Sequence, residues 1–149
     1  MSTEAQARPE VRVTHRFEAS AERVFDAWLS AELIEQWMFG NVPGEQVLRI
    51  ALEARPKGKF SFLVRRGSDE LDHVGEYFLI ERPSALAFSW GIRGNPGSRV
   101  DVTLAPVQGG TELTLLHTLA AGAEAYIERT AKGWTTMLSK LATVLKQTG

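Results

Sequence analysis

The sequence predicts an α+β fold in which one curved antiparallel sheet wraps round a long C-terminal helix. Short runs rich in β-forming residues fill the chain from about residue 47 to residue 118, with only turns between them. Such short connections favour antiparallel pairing over βαβ units. A single long amphipathic segment follows, and it is the only element large enough to cover the face that such a sheet must bury.

Ahead of these runs, the sequence predicts one further strand and two short helices. Residues 1–9 are expected to form a flexible tail, and residues 10–149 a single domain. Residues 11–17 alternate between apolar and polar with a period of two, which is typical of a strand. Ser20 suits the N-cap of a first helix. A second helix is predicted over Ala31–Trp37, where apolar residues fall on one side.

The rest of the chain contains six predicted strands and the last helix. Apolar residues recur at steps of three and four from about Ala123 to Lys146, which indicates the helix. Gly133 lies inside it at a cost of about 1 kcal/mol relative to Ala, so we expect another element to approach closely there. The strands are predicted over Val47–Leu52, Lys59–Arg65, His73–Ile80, Leu86–Trp90, Arg99–Leu104 and Thr111–Thr118.

Composition and charge exclude several classes of function. The 149 residues carry a net charge of −1, so nothing attracts the chain as a whole to nucleic acid or to an anionic membrane. The lack of cysteine excludes disulfides, thiolate nucleophiles and iron–sulfur clusters. No signal peptide and no apolar run of about 18 residues is found. We expect a cytoplasmic protein, a monomer or homodimer, that binds neither nucleic acid nor membrane.

Five segments of the chain, in their order and spacing, resemble the START-like helix-grip (SRPBCC) superfamily. They read FDAWLSAELIEQWM, KGKFSF, GEYFLIERPSALAFSW, GTELTLLH and GWTTMLSKLATVL. Within the superfamily they look like the branch named after the activator of the heat-shock-protein-90 ATPase. The most specific motifs are the strand Gly75-x-Tyr77 that leads into Pro83 and Trp90, and the pair Gly133-Trp134 followed by leucines.

The resemblance covers about residues 10–147, and it implies both a fold and a range of functions. The implied fold is a seven-stranded antiparallel sheet that grips the C-terminal helix, usually around a hydrophobic cavity. Relatives include carriers of lipids, sterols and hormones, polyketide aromatases and cyclases, and antibiotic-resistance proteins. Because one fold serves all of these functions, only the residues of the site can choose among them.

Apolar side chains at every second position of the predicted strands are the candidate binding residues. They are expected to face the long helix, with Tyr77 and Leu79 on one shared face, and Tyr126, Trp134 and Met137 of the helix are expected to face back towards the sheet. Together with the implied cavity, they predict a ligand site between sheet and helix. The same pattern also fits a dry, filled core, and the sequence leaves both interpretations open. The candidate ligand-binding residues are Trp37, Phe39, Phe60, Phe62, Tyr77, Phe88, Trp90, Val102, Leu115, His117, Tyr126, Trp134 and Met137.

His117 is the polar member of this set that carries the most chemistry. It continues the stripe of Leu113 and Leu115, so it is expected to point inward, and it matches the family's recurring histidine at the end of the last strand. A buried imidazole needs partners for both ring nitrogens. A structural histidine with both partners, a polar anchor for a ligand hydroxyl or carbonyl, and a general acid–base all stay open. Tyr77 is the second candidate for orienting a ligand.

No motif indicates a catalytic residue, a metal site or a cofactor, and we expect none of these. His15, His73 and His117 lie on three different strands without the paired spacing of metal ligands. The chain has no G-x-S-x-G turn and no thiol for nucleophilic catalysis. A metal site formed only by folding stays possible in principle, but no spacing supports it.

Two groups of charged residues lie near predicted hairpin turns, and neither indicates a catalytic site. The acids of residues 53–76 are expected to form a solvated surface, partly paired with Arg65 and Arg66. Arg93 and Arg99 flank a glycine-rich turn at the expected cavity mouth, where they could meet an anionic ligand group.

The leading hypothesis is a non-catalytic module that binds a small hydrophobic or aromatic molecule between the sheet and the C-terminal helix. One alternative is a stress-response or chaperone-associated protein of the heat-shock ATPase activator type, with a chaperone as partner. A second alternative is an enzyme like the polyketide cyclases, aromatases or hydrolases, which would use His117 or Tyr77 as acid–base in the same cavity.

Overall fold

The computed structural model describes residues 8–40, 43–93 and 97–148. The predicted tail up to residue 7 and the centre of the glycine-rich turn, residues 94–96, lie outside this range. A single 3-10 turn, Glu124–Tyr126, precedes the last helix. The other elements are β1 (Glu10–Phe17), α1 (Ala21–Ala27), α2 (Ala31–Trp37), β2 (Gln46–Leu52), β3 (Lys59–Arg66), β4 (Asp69–Glu81), β5 (Ala85–Ile92), β6 (Ser98–Val107), β7 (Gly110–Thr118) and α3 (Ile127–Thr148).

The strands form one antiparallel sheet in the order β1-β7-β6-β5-β4-β3-β2. From β2 to β7 each strand pairs with the next one along the chain, while β1 pairs with β7 from Glu10↔Thr118 to Phe17↔Thr111. Strands β1 and β2 therefore lie at opposite edges, and α1 and α2 connect them. This arrangement confirms the predicted α+β helix-grip fold with seven strands and a long C-terminal helix.

The two short helices begin where the sequence predicts. The Ser20 side chain accepts a hydrogen bond from the Arg23 backbone N–H at 3.2 Å. Ser30 does the same for Leu33 at 3.2 Å. Each cap satisfies a backbone donor that the first turn leaves free. The caps set the position of α1 and α2, which bury Phe25 and other apolar side chains in the core.

The inward face of the sheet follows strand periodicity closely at β6 and β7. Val102 and Leu115 are a cross-strand pair, as are Leu104 and Leu113, and all four side chains are buried. Helix α3 covers this face with Leu138 and its neighbours one turn away. The core thus lies between the sheet and the three helices, as expected for a one-sided antiparallel sheet.

Strand β4 departs from the predicted alternation. Pairing with β5 shifts register between Tyr77 and Leu79, and such a bulge turns the following side chains to the other face. Tyr77 is buried, whereas Leu79 is 37% exposed. The expectation that Tyr77 and Leu79 share one inward face is therefore wrong, and Ile80 packs against the core instead.

Helix α3 begins at Ile127, four residues later than predicted, because the chain forms the 3-10 turn first. The Tyr126 ring belongs to that turn and is 52% exposed, which corrects the expectation that it faces the sheet. Gly133 is also corrected, since a Cβ added there would meet no atom within 4 Å. Among the described residues, no helix combines the length and apolar character needed to cross a membrane.

Candidate functional site

A cluster of aromatic rings occupies the middle strands of the sheet, on the face towards α3. Phe60 and Phe62 of β3 stack at 4.7 Å between ring centroids. Phe60 also contacts Tyr77 of β4 at 5.4 Å and Phe88 of β5 at 5.8 Å. Trp90, two residues after Phe88, lies 5.9 Å from Phe60. Residues two apart in a strand share a face, so the alternation of β3 and β5 turns these phenylalanine and tryptophan rings to the same side of the sheet.

Glycine at position 75 makes room for this cluster. Gly75 pairs with Phe60 across β3 and β4. A Cβ at this position would collide with the Ser89 carbonyl and with the Phe60 ring. The Gly75-x-Tyr77 motif therefore has a packing reason, since it lets the Phe60 ring lie directly on the β4 backbone.

The helices close the cluster from the opposite side. Trp28 follows the last residue of α1 and stacks on Trp134 of α3 at 5.8 Å. Trp134 also lies 5.9 Å from Trp90. Met38 follows the last residue of α2 and is buried. Side chains from the ends of two short helices therefore reach the centre of the sheet.

The space left between these side chains is small. The cavity has a volume of about 10 Å³, which is at the lower limit of what a single water molecule needs. The site therefore holds its aromatic side chains in contact, and a ligand must displace some of them to bind. The cavity is lined by Trp28, Met38, Phe60, Phe62, Tyr77, Phe88 and Trp90.

The candidate residues predicted from the sequence fall into three groups. Five of them line the cavity: Phe60, Phe62, Tyr77, Phe88 and Trp90. Met137 is half-buried against the core and Tyr126 is exposed, and neither lines it. The remaining candidates are buried around the cavity without lining it, namely Trp37, Phe39, Val102, Leu115, His117 and Trp134.

Trp28 and Met38 line the cavity but were not among the candidates. The helical spacing of Val24, Phe25 and Trp28 predicts that Trp28 is buried, and it is. What the spacing does not reveal is that the end of α1 lies over the centre of the sheet. Met38 carries no pattern of its own, since it follows the last residue of α2.

Trp37 and Phe39 support the wall from behind. The Trp37 Nε1–H donates to the Ala27 carbonyl at 3.0 Å, and its ring meets Trp28 edge to face at 4.7 Å. Phe39 lies 6.1 Å from Phe62 and 5.2 Å from His73. These contacts hold the cavity-lining rings of Trp28 and Phe62 in place.

His117 has a partner for each ring nitrogen. Trp134 Nε1–H donates to Nδ1 at 3.0 Å, so the imidazole proton lies on Nε2. Nε2–H then donates to the Ser98 hydroxyl at 2.6 Å, which in turn donates to the Trp90 carbonyl at 2.8 Å. This series of hydrogen bonds fixes one neutral tautomer of the His117 imidazole. Burial lowers the pKa of His117 from 6.5 to about 4.

Two more polar side chains of the site are neutral. Burial raises the pKa of the Tyr77 phenol far above its ordinary value of 10, so Tyr77 keeps its proton at physiological pH. His73 Nδ1–H donates to the Phe62 carbonyl at 3.1 Å, and burial lowers the pKa of His73. Desolvation penalises the charged form in each case.

Trp28 stands out among the polar groups of the site. Its side chain is 3% exposed, and its Nε1–H is the buried side-chain donor that finds no hydrogen-bond partner among the described residues. Buried polar atoms are nearly always paired. The cavity wall therefore contains a buried hydrogen-bond donor that lacks an acceptor among the described residues.

The charged residues singled out from the sequence pair with one another on the surface. Arg93 contacts Asp72 at 2.8 Å, and Arg99 contacts Asp101 at 3.0 Å. Because each arginine already pairs with a carboxylate of the protein, these contacts do not support the expectation that the two side chains bind an anionic ligand group. Arg65 pairs with Glu70 at 3.2 Å, as predicted for the acidic group. Within the described ranges, no three His, Asp or Glu side chains cluster to hold a metal ion.

A much larger concavity lies elsewhere, at the edge formed by β1, the β6–β7 turn and the end of α3. It is an open groove of about 690 Å³ whose walls include Arg16, Glu18 and Lys146. Lys146 lies 3.7 Å from Glu18, and both side chains are exposed. The groove is wide, solvent-exposed and mixed in charge, whereas the small cavity is lined by aromatic rings and Met38.

Similarity to known proteins agrees with this architecture. The family model described as Activator of Hsp90 ATPase homolog 1-like protein matches residues 18–146. No curated protein sequence matches the chain significantly.

Solved structures extend the likeness to the fold as a whole. A Rhodobacter sphaeroides protein is 21% identical with a TM-score of 0.84, over 94% of this chain and 93% of its own. A Nitrosomonas europaea protein is 15% identical with a TM-score of 0.82, over 100% of both chains. CalU16 from Micromonospora echinospora is 23% identical with a TM-score of 0.68, over 91% of this chain and 83% of its own. At these identities the likeness concerns the fold alone.

Proposed function

The chain belongs to the family of Activator of Hsp90 ATPase homolog 1-like proteins, within the SRPBCC superfamily, and from that premise we propose that it binds a small, neutral, largely aromatic molecule. The binding site is the aromatic cavity between the sheet and the helices. The fold is consistent with a ligand-binding domain, and the site residues decide the chemistry of the ligand.

The composition of the cavity wall carries the proposal. Six of its seven side chains are aromatic and the seventh is Met38. They come from β3, β4 and β5 and from the residues that directly follow α1 and α2, which the fold brings to one point. Ligand pockets are lined mainly by apolar and aromatic groups with a few polar atoms, and the Tyr77 hydroxyl and the Trp28 indole N–H are such atoms.

Ligand access requires side chains to move, and Met38 and Trp90 are the ones suited to it. Met38 is unbranched and adaptable. Trp90 is only half-buried, yet its ring contacts Phe60, Phe62 and Phe88 at 5.9, 6.4 and 6.2 Å. A ligand ring that takes the place of the Trp90 indole gains the same three contacts. Offset and edge-to-face ring contacts of this kind favour an aromatic ligand.

The ligand is expected to be neutral because the cavity offers no charge to pair with. No ionised side chain lines it, and the Tyr77 phenol keeps its proton. An ion moved from water into such surroundings loses its hydration without compensation.

The contacts of His117 favour binding over acid–base catalysis. Both ring nitrogens are engaged by Trp134 and Ser98, and the imidazole does not line the cavity. A ligand would have to break one of these bonds to reach it. The hydrogen bonds of His117 instead hold Trp134, which packs behind Trp28 and Trp90.

A thermal-shift screen of neutral aromatic compounds tests the proposal. A ligand present at a hundred times its dissociation constant stabilises the native state by about 2.7 kcal/mol, which raises the Tm by roughly 5–15 °C for a domain of this size. We expect a series of hits that share a planar aromatic scaffold. A screen in which none of the neutral aromatic compounds raises the Tm would contradict the proposal.

Two matched variants then locate the site. Phe62→Leu changes a cavity-lining ring, whereas Phe25→Leu makes the same change in the core away from the cavity. We expect Phe62→Leu to weaken binding of a hit several-fold and Phe25→Leu to leave it unchanged. Gln108→Trp crowds the open groove without touching the core. Binding lost in Gln108→Trp and kept in Phe62→Leu would assign the ligand to the groove instead.

A further inference from the structure

We infer that the ligand carries a hydrogen-bond acceptor, and that Trp28 Nε1–H donates to it, with a carbonyl group on a neutral aromatic molecule as the matching chemistry. The inference rests on the proposed function, since it concerns the same cavity. It adds the residue that selects the ligand and the functional group that this residue selects.

The two other buried indoles of the chain, Trp37 and Trp134, show how unusual Trp28 is. Trp37 donates to the Ala27 carbonyl at 3.0 Å, and Trp134 donates to His117 at 3.0 Å. Trp28 is equally buried, but its N–H has no partner in the described part of the chain. A buried donor without an acceptor loses its hydration and gains nothing in return. A ligand acceptor in the cavity would remove that cost.

The indole of Trp28 is held where it is by rings on two sides. Trp37 meets it edge to face at 4.7 Å, and Trp134 stacks on it at 5.8 Å. Phe88 lies 6.3 Å away. The ring is therefore packed against other rings rather than turned to a backbone carbonyl, and the side chain itself lines the cavity.

The polar atoms of the wall define the class of ligand. Trp28 supplies a donor and no acceptor. Tyr77 supplies a hydroxyl that donates and accepts, and it keeps its proton because burial raises its pKa. A carbonyl oxygen has two lone pairs and can accept from Trp28 with one of them. A ligand whose only polar group is a cationic amine would leave the indole N–H unpaired and bring an unpaired charge into the cavity.

The test compares two probes of the same shape. Acetophenone carries a ketone oxygen, and α-methylstyrene has a methylene group in its place. Hydrogen bonds of this kind change affinity by about fivefold. We expect acetophenone to bind wild-type protein about fivefold more tightly than α-methylstyrene in a calorimetric or spectroscopic titration.

A proton–nitrogen correlation spectrum reads the donor directly. We expect acetophenone to move the indole N–H signal of Trp28 downfield, and α-methylstyrene not to do so. The signals of Trp37 and Trp134, whose acceptors lie within the protein, serve as internal controls and stay near their original positions. This measurement uses the wild-type chain, so it does not depend on a variant that folds.

Two variants complete the test. Trp28→Phe is expected to abolish the preference for acetophenone over α-methylstyrene. Phe25→Leu changes a buried ring that does not line the cavity and keeps the Trp28 indole, and it is expected to keep the preference.

Each other outcome overturns the inference in a recognisable way. If both probes bind equally and shift signals of the cavity rings, the proposed function stands and the role of Trp28 falls. If the Trp28 signal lies far upfield in the free protein and does not move with either probe, its N–H points at the Trp37 ring and the inference is wrong. If neither probe binds, the proposed function fails and this inference fails with it.

Discussion

Replacing His117 by Gln should remove the part of the pH dependence of stability that His117 contributes between pH 6.5 and pH 4. In the folded chain His117 is neutral, because burial lowers its pKa from 6.5 to about 4 and because Nδ1 accepts from Trp134. The unfolded chain binds a proton as the pH falls below 6.5. The contribution of His117 to stability is therefore fully present above pH 6.5 and is lost as the pH falls towards 4.

The size of this loss follows from the two pKa values. Each tenfold change in proton affinity is worth about 1.4 kcal/mol, so His117 accounts for about 3 kcal/mol between neutral pH and pH 4. The assay is urea unfolding at a series of pH values, for wild type and for His117→Gln. Carboxyl groups and the other two histidines titrate in both proteins, so the difference between the two curves isolates His117.

Between neutral pH and pH 4, we expect the free energy of unfolding of wild type to fall by about 3 kcal/mol more than that of His117→Gln. If the free energy of unfolding changes with pH in the same way in both proteins, the reasoning is refuted. His117 would then have nearly the same pKa in the folded and the unfolded chain. The network with Trp134 and Ser98 would then not fix a neutral imidazole.

Three further substitutions test the local packing by urea unfolding at pH 7. Gly133→Ala should raise the free energy of unfolding by about 0.5–1 kcal/mol, because a helical Cβ there meets open space; a loss would mean that an element does approach this position. Gly75→Ala should lower it by more than 1 kcal/mol, because the new Cβ collides with the Ser89 carbonyl and the Phe60 ring, and an unchanged value would argue against the Phe60 packing. Ser30→Ala should cost about 1 kcal/mol through loss of the α2 cap, and no cost would show that the cap is not formed in solution.

The fold could be predicted because local signals separate the strands, although β4 begins at Asp69, four residues before its predicted start at His73. Turn residues separate the runs of β2 to β7, Ser20 marks the start of α1, and the apolar side of residues Ala31–Trp37 marks α2. Because the connections are short, the pairing of neighbouring strands follows from the chain order itself. The pairing of β1 with β7 was not predicted, since no local pattern reports contacts between distant strands.

Errors in the prediction occurred where the backbone departs from regular geometry. The bulge between Tyr77 and Leu79 turns the side chains beyond it to the opposite face of the sheet. No residue in that stretch indicates a bulge. The 3-10 turn at Glu124–Tyr126 changes the angular position of Tyr126 relative to α3, so the helical spacing placed its ring on the wrong side.

The site could be predicted only in part. Alternation within β3 and β5 identifies Phe60, Phe62, Phe88 and Trp90 as neighbours, and the structure brings them together. The unpartnered donor of Trp28 could not be foreseen, because it depends on how α1 sits over the sheet. The volume of the cavity depends on the rotamers of large rings, which a sequence pattern does not encode.

The central claim, that the aromatic cavity binds a neutral aromatic ligand, is tested most directly at Met38. The chain has three methionines, and Met38 lines the cavity whereas Met137 is half-buried on α3 away from it. A titration of methyl-labelled protein with acetophenone should shift the Met38 methyl signal by ring currents and leave the Met137 signal in place. A Met38 signal that stays fixed while acetophenone binds would contradict the account, because the ligand would then lie outside the cavity.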